Sequence, residues 1–189
     1  MKEFIIFLFL FLIVFSFTLF IFNGRFIYAQ LKYHFLGPSP ISFKPDIQLQ
    51  KLAIPTIGVE APIVLPESID EYTLQRALEK GVIYWPESDL PDEEGVVIIL
   101  GHSSAYPWYQ GNYGSVFSLL NRLEKGDEIF LFSEDKKYVY QVIEKEIQMP
   151  EDLNIKKEKG KSTLYLISCW PIKTTWKRIA VQANLTRIE

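Results

Sequence analysis

The chain is poor in thiols and imidazoles. Its 189 residues include one cysteine, Cys169, and two histidines, His34 and His102. A single thiol excludes an intrachain disulfide framework and any site built on several thiolates, and two histidines leave little for a His-rich metal centre. A basic excess is missing as well. The 20 Lys and Arg stand against 23 Asp and Glu, a net charge of -3, so nothing neutralises a run of phosphates and nucleic acid is not an expected partner. No internal repeat is apparent, and the length suits one globular domain.

What is present is unevenly distributed. From Phe4 to Phe22 only Ser16 and Thr18 are not apolar, and the run holds eight of the fourteen phenylalanines. As a helix it would extend about 28 Å, close to the hydrocarbon thickness of a bilayer. The competing reading is a cleaved signal peptide, with residues 27–29 as a faint cleavage site; signal cores, however, run about 7 to 15 residues. The expectation is an uncleaved anchor in residues 1–22. Lys2 on one flank and Arg25 and Lys32 on the other leave its orientation undecided by charge. Residues 23–48, with Gly37-Pro38-Ser39-Pro40 and Pro45, read as a stalk, and residues 49–189 as the folded domain.

That domain is patterned as short strands at 49–54, 57–64, 82–85, 96–100, 128–133, 137–148, 163–169 and 177–187, which predicts a mainly β barrel or sandwich. Two short helices interrupt it. In the first, Ser68 and Glu71 are spaced as a capping box, Leu74, Ala77 and Leu78 form a narrow apolar stripe, and Gly81 ends the run. The second places Val116, Leu119, Leu120 and Leu123 on one face between Ser115 and Gly126.

Three residues with chemistry fall at strand ends. The continuous apolar run 96–100 stops at Gly101-His102, a later strand stops at Ser168-Cys169 before Trp170-Pro171, and the last begins at Lys177-Arg178. Taken singly, a lone cysteine is a small buried hydrophobe, a lone loop histidine a surface residue, and an arginine on an alternating strand an exposed charge. Together they are a nucleophile, a proton carrier and a fixed cation for an oxyanion. The separation of nine positions from Cys169 to Arg178 fits a hairpin that lays the two side by side.

The blocks Gly101-His102-Ser103-Ser104, Leu166-Ile167-Ser168-Cys169 and Lys177-Arg178-Ile179-Ala180-Val181 resemble those of the sortases, membrane-anchored cysteine transpeptidases of bacterial cell surfaces. Residues 54–63 resemble the family's opening hairpin, and 123–129 add Gly126-Asp127. The resemblance covers residues 49–188. It departs from the family's Thr-Leu-x-Thr-Cys, which here is Tyr165-Leu166-Ile167-Ser168-Cys169, and with the short loop to Arg178 this is closer to the class D or E type.

The resemblance implies an eight-stranded barrel and a thioacyl mechanism. In it Cys169 is the nucleophile, His102 the general acid and then base, and Arg178 the oxyanion donor, with no metal or organic cofactor. Implied partners are sorting-signal peptides of surface proteins, an amine acceptor of peptidoglycan type or a pilin lysine, and the membrane that would hold the chain by a single pass with its domain outside the cytoplasm. Ser168, Trp170, Tyr106 and Trp108 are the candidates for peptide contact, the last two from an aromatic loop that equally suits local packing. The acidic residues Asp89, Asp92, Glu93 and Glu94 read as solvated loop charge and not as a calcium site. A cysteine hydrolase and a silent peptide-binding domain stay open as rivals. A serine hydrolase through Ser103 or Ser104 is weaker, because no Gly-x-Ser-x-Gly elbow surrounds either.

Overall fold

A computed structural model describes residues 4, 6–15, 49–105, 109 and 111–189. The expected stalk, the second half of the apolar run, and Tyr106 and Trp108 lie outside the described residues. Phe4 and residues 6–15 are helical (α1) and belong to a unit separate from the barrel. Among the described residues, no helix is long and apolar enough to cross a membrane.

Eight strands close into a barrel: β1 (Lys51–Ile54), β2 (Val59–Val64), β3 (Val82–Tyr84), β4 (Gly95–Leu100), β5 (Glu128–Phe132), β6 (Lys137–Gln148), β7 (Ser162–Trp170) and β8 (Lys177–Ile188). Around the barrel the order is β1-β2-β3-β4-β7-β8-β6-β5, closed by β1 against β5. Closure leaves no strand edge unpaired, which suits a chain with this many short β runs. Most neighbours are antiparallel, but β2–β3 and β4–β7 are parallel. Parallel neighbours cannot be joined by a tight turn. The helix α2 (Glu71–Lys80) serves the first crossover, and the whole stretch between β4 and β7 serves the second.

Alternation along the strands fills the barrel. Leu52, Ile54, Val97, Ile99, Ile129, Leu131, Leu164, Leu166 and Val181 are fully buried in one core cluster. Their intervening neighbours on β4, β7 and β8 form a second, smaller cluster on the outside, where Tyr165, Ile167 and Ala180 meet Val96, Ile98, Leu100, Leu153 and Ile155. The apolar run 96–100 is therefore covered on both faces, by the core and by this outer layer.

Both helical interruptions exist, each with a difference in detail. The cap of α2 is Asp70 and not Ser68: its carboxylate accepts from Thr73 N at 3.0 Å, and the Ser68 hydroxyl donates to its other oxygen. Those bonds, that from Ser68 foremost, push the Asp70 carboxyl down to about 2. Aspartate wins because its two oxygens serve the helix end and the preceding turn at once. The second interruption is a series of turns ending in a 3-10 helix, Leu120–Arg122. It buries Phe117, Leu120 and Leu123, every third residue, and leaves Leu119 45% exposed. A stripe read at 3.6 residues per turn picks the wrong partners once the local period is three.

Leu131 lies in β5 beside the closing pair with β1 and is fully buried. Leu131→Ala is expected to cost about 2–5 kcal/mol of stability. In urea denaturation the midpoint falls while the slope stays that of the wild type.

Candidate functional site

Strand register brings the three chemistry-bearing residues together. In the parallel pair, Leu100 of β4 faces Ile167 of β7, and Gly101 N still donates to Ile167 O at 3.2 Å. Continuing both chains by two residues sets His102 beside Cys169. On the other flank of β7, Cys169 is the direct partner of Arg178. Further along the same row, Arg178 is partnered by Gln148 at the end of β6. Neighbouring strands are about 4.8 Å apart, so Arg178 is the direct strand neighbour of Cys169, while His102 follows two residues after the last β4–β7 pair.

The side chains of this row belong to the outer face. Alternation puts Leu164 and Leu166 in the core and Tyr165 and Ile167 in the outer cluster; Cys169 shares the parity of the latter. One row away lie Leu100, Ile167 and Ala180, paired in turn with Glu146 of β6. The thiol thus ends an apolar trough that has carboxylates along its β6 side. The connection from β6 to β7 crosses this face, with Leu153 and Ile155 against the outer cluster and the Tyr165 hydroxyl accepting from Lys156 N at 3.1 Å. Beneath it is a small pocket lined by Glu144, Glu146, Leu153, Lys156, Tyr165 and Gln182 among others.

His102 is held mainly by its backbone and by a ring contact. Its carbonyl accepts from Phe117 N at 2.8 Å. The residue before it has to be glycine: a Cβ on Gly101 would stand 2.5 Å from the Phe117 ring. The imidazole packs edge-on against Tyr109, with centroids 5.4 Å apart and planes at 88°. Tyr109 in turn donates its hydroxyl to Leu78 O of α2 at 2.7 Å. Nε2 is buried without a hydrogen-bond partner among the described residues. Burial alone, by penalising the charged ring, holds the His102 pKa below its ordinary value of 6.5.

Ser168 and Trp170, both candidates for peptide contact, alternate onto the inner face with Leu164 and Leu166. Ser168 is 3% exposed, and its hydroxyl donates to Gly101 O at 2.7 Å. That bond joins β7 to β4 one residue before the cysteine and one before the histidine. Trp170 packs on the core cluster.

Arg178 is half-buried and donates from Nη1 to the carbonyls of Thr175 and Lys177, each at 3.0 Å. The loop before it is tied to the histidine loop by a 2.8 Å bond from Lys173 N to Ser104 Oγ, with Lys173 at φ 70°. Ser104 thus has a structural partner. Trp176 stands 73% exposed two residues before Arg178. Motif reading missed Gln148 and the carboxylates of β6, since only strand register brings them here. Of the acidic stretch, Asp89 accepts from Val96 N at 2.9 Å and lies 3.6 Å from Lys157, while Asp92 pairs with Lys136 at 3.2 Å. Among the described residues, no three metal-ligating side chains cluster.

Comparison with known proteins gives a consistent result. A family model described as the sortase domain matches residues 52–186. Sortase D of Bacillus subtilis (strain 168) is 32% identical over 133 residues, covering 69% of this chain and 59% of that protein. Sortase A of Bacillus anthracis is 24% identical over 135 residues, covering 71% and 58%. The chain therefore spans under two thirds of the length of these curated relatives. Among solved structures, sortase C1 from Streptococcus agalactiae superposes with a TM-score of 0.62 at 24% identity, covering 73% of this chain and 67% of that one.

A depressed His102 pKa sets the sign of a pH effect. Between the folded value and 6.5 the unfolded chain binds more protons, so stability rises with pH through that window and is lost as pH falls through it. By NMR, the His102 ring, assigned by its disappearance in His102→Gln, is expected to titrate below pH 6.5. Wild type should also lose stability faster than His102→Gln on acidification. A midpoint at or above 6.5 would contradict the burial argument.

Proposed function

The chain belongs to the sortase family, and on that premise we propose that it is a cysteine transpeptidase acting on a sorting peptide near the C terminus of surface proteins. The observation that supports this reading is strand placement, with Cys169 the register partner of Arg178 in β8 and His102 two residues beyond the last pair of β4 with β7.

The peptide reaches Cys169 on the outer face, beside Leu100, the half-buried member of that layer nearest the thiol. The thiolate of Cys169 attacks the scissile carbonyl, forming a C–S bond and a tetrahedral oxyanion. Arg178 donates to that oxyanion, and a planar guanidinium presents several donors at once. Collapse breaks the C–N bond as His102 protonates the departing amine, leaving a thioacyl enzyme. An incoming primary amine, from a peptidoglycan-type acceptor or a pilin lysine, then gives its proton to His102 while the new C–N bond forms and the thiolate leaves. His102 loses one proton to the departing amine and regains one from the incoming amine, so the enzyme ends in its starting protonation state and no further co-reactant is needed. The Ser168 to Gly101 bond is a positioning device for both strand ends.

Residues 4–22 act as the membrane anchor, a single pass that keeps the catalytic domain outside the cytoplasm. Supporting this, the described side chains of α1 are all exposed, Phe4 at 70% and Phe7 at 69% among them. A helix apolar on every side has no stable place in water.

The transpeptidase reading is tested by incubating detergent-solubilised full-length protein with a library of peptides of varied penultimate motif and following its intact mass. A covalent adduct is expected on Cys169, absent in Cys169→Ala, and discharged faster by an added primary amine than by water. Discharge indifferent to amine would make the protein a hydrolase, and a Cys169 inert to small alkylating agents would make it a silent binding domain.

For the anchor, cell fractionation should place the full chain with the membranes, released by detergent and not by alkaline carbonate. Recovery of a soluble species cut after Ala29 would replace the anchor with a signal peptide.

A further inference from the structure

The row that contains the thiol has a fourth member. Gln148 ends β6 as the register partner of Arg178, on the flank opposite Cys169. Directly paired residues of antiparallel strands have their Cβ atoms about 4.5–5.5 Å apart. Its neighbours on β6 do not share this place: Ile147 pairs with Ile179 on the other face, and Glu146 pairs with Ala180 one row away.

The orientation of the Gln148 amide is set by chemistry. Its Nε2 donates to Glu146 Oε2, and a carboxylate can only accept, so the nitrogen end faces Glu146 and the oxygen end is left for a donor. That oxygen, Oε1, is buried and has no hydrogen-bond partner among the described residues. A buried acceptor without a donor is costly and uncommon in folded proteins. Its register partner has the opposite imbalance. Arg178 engages only Nη1, on the carbonyls of Thr175 and Lys177, while Nε and Nη2 have no partner among the described residues. Spare donors and a stranded acceptor therefore occupy adjacent positions of one row.

We propose that Gln148 is a positioning residue for the guanidinium of Arg178. When Arg178 leaves the carbonyls of its own loop, Gln148 Oε1 accepts from the guanidinium edge on the β6 side. The opposite edge is then turned toward the carbonyl held over Cys169. The planar fork makes this work: fixing one edge fixes the direction of the other. Glu146 contributes by keeping the amide from flipping its NH2 toward a cation. The inference rests on the transpeptidase reading for its catalytic consequence, but the contact itself can be observed without turnover.

The test is a double-mutant cycle on the rate of thioacyl formation at Cys169, followed by intact mass with a reactive sorting peptide. Gln148→Met keeps the side chain's length and removes the acceptor; the expected loss is roughly tenfold, as for one hydrogen bond to a charged group. Gln148→Glu retains an acceptor and is expected to recover most of the rate, whereas Gln148→Asn, too short to reach, behaves like Gln148→Met. The melting temperature of each variant is read in parallel to separate a positioning loss from unfolding. In an Arg178→Lys background, Gln148→Met should change the rate by less than about twofold, because the group it positions is gone. Wild-type rates in Gln148→Met, or the same tenfold loss in both backgrounds, would overturn the proposal. If the wild type forms no adduct at all, the transpeptidase reading is what fails. The contact is then decided by the Arg178 Nε–H resonance of arginine-labelled protein on adding an uncleaved sorting peptide, which moves further in wild type than in Gln148→Met if Gln148 takes up the guanidinium and equally in both if it does not.

Discussion

Strand β7 is hydrogen-bonded to β4 on one side and β8 on the other, and the function of the molecule depends on the register of those two ladders. Because side chains alternate faces along a strand, a slip of one residue in β7 would carry Cys169 to the inner face and bring Ser168 out. The slip is opposed by the core. Leu164 and Leu166 are fully buried among Val97, Ile99, Val181 and Ile179, and the same slip would expose them. Each such side chain contributes about 1.5–3 kcal/mol by being buried. The placement of the thiol is thus a by-product of hydrophobic packing several ångströms away, reinforced where Ser168 bonds Gly101 across the ladder.

The electrostatics of the row contain a tension. Catalysis as proposed needs His102 charged at one stage, yet burial favours the neutral ring. A lowered imidazole pKa leaves less of the charged ring at a given pH, and the proposed step that needs a protonated His102 slows with it. What the same burial provides is a low-dielectric setting in which donors act strongly on a developing oxyanion. Arg178 keeps its charge regardless of pH, since a guanidinium does not deprotonate in proteins. The proposed mechanism accordingly assigns the acid and base work to the residue that can titrate, and the fixed positive charge to the one that cannot.

The outer face explains why a second apolar layer exists. A small barrel could leave its outside polar, but Tyr165, Ile167 and Ala180 are buried there with Leu153 and Ile155 laid across them. The connection that carries Leu153 and Ile155 is pinned at its far end, where the Glu158 carboxylate accepts from Gln182, Asn184 and Lys161. This covered layer continues along β7 to Cys169, the residue two beyond Ile167 on the same face.

Much of this was legible in the sequence. All eight strands and the ends at His102, Cys169 and Arg178 follow from apolar periodicity, turn residues and motif blocks, which are local properties of the chain; these left barrel and sandwich both open, and the barrel was implied by the family resemblance. The first helix was legible too, although its cap is Asp70, since choosing between two adjacent capping side chains depends on the turn that precedes them. Leu119 was misassigned because the turn series from 115 to 123 buries every third residue, a period imposed by the barrel mouth it fills. Ser168 and Trp170 were assigned to the peptide because a motif does not state which face each residue takes. Gln148 was invisible, for it carries no motif and lies 30 residues from Arg178 along the chain. The sequence by itself determined which residues have reactive chemistry and that each ends a strand. Only the tertiary structure decided that they share one row and one face, because strand order and register are set by long-range packing that no local pattern encodes.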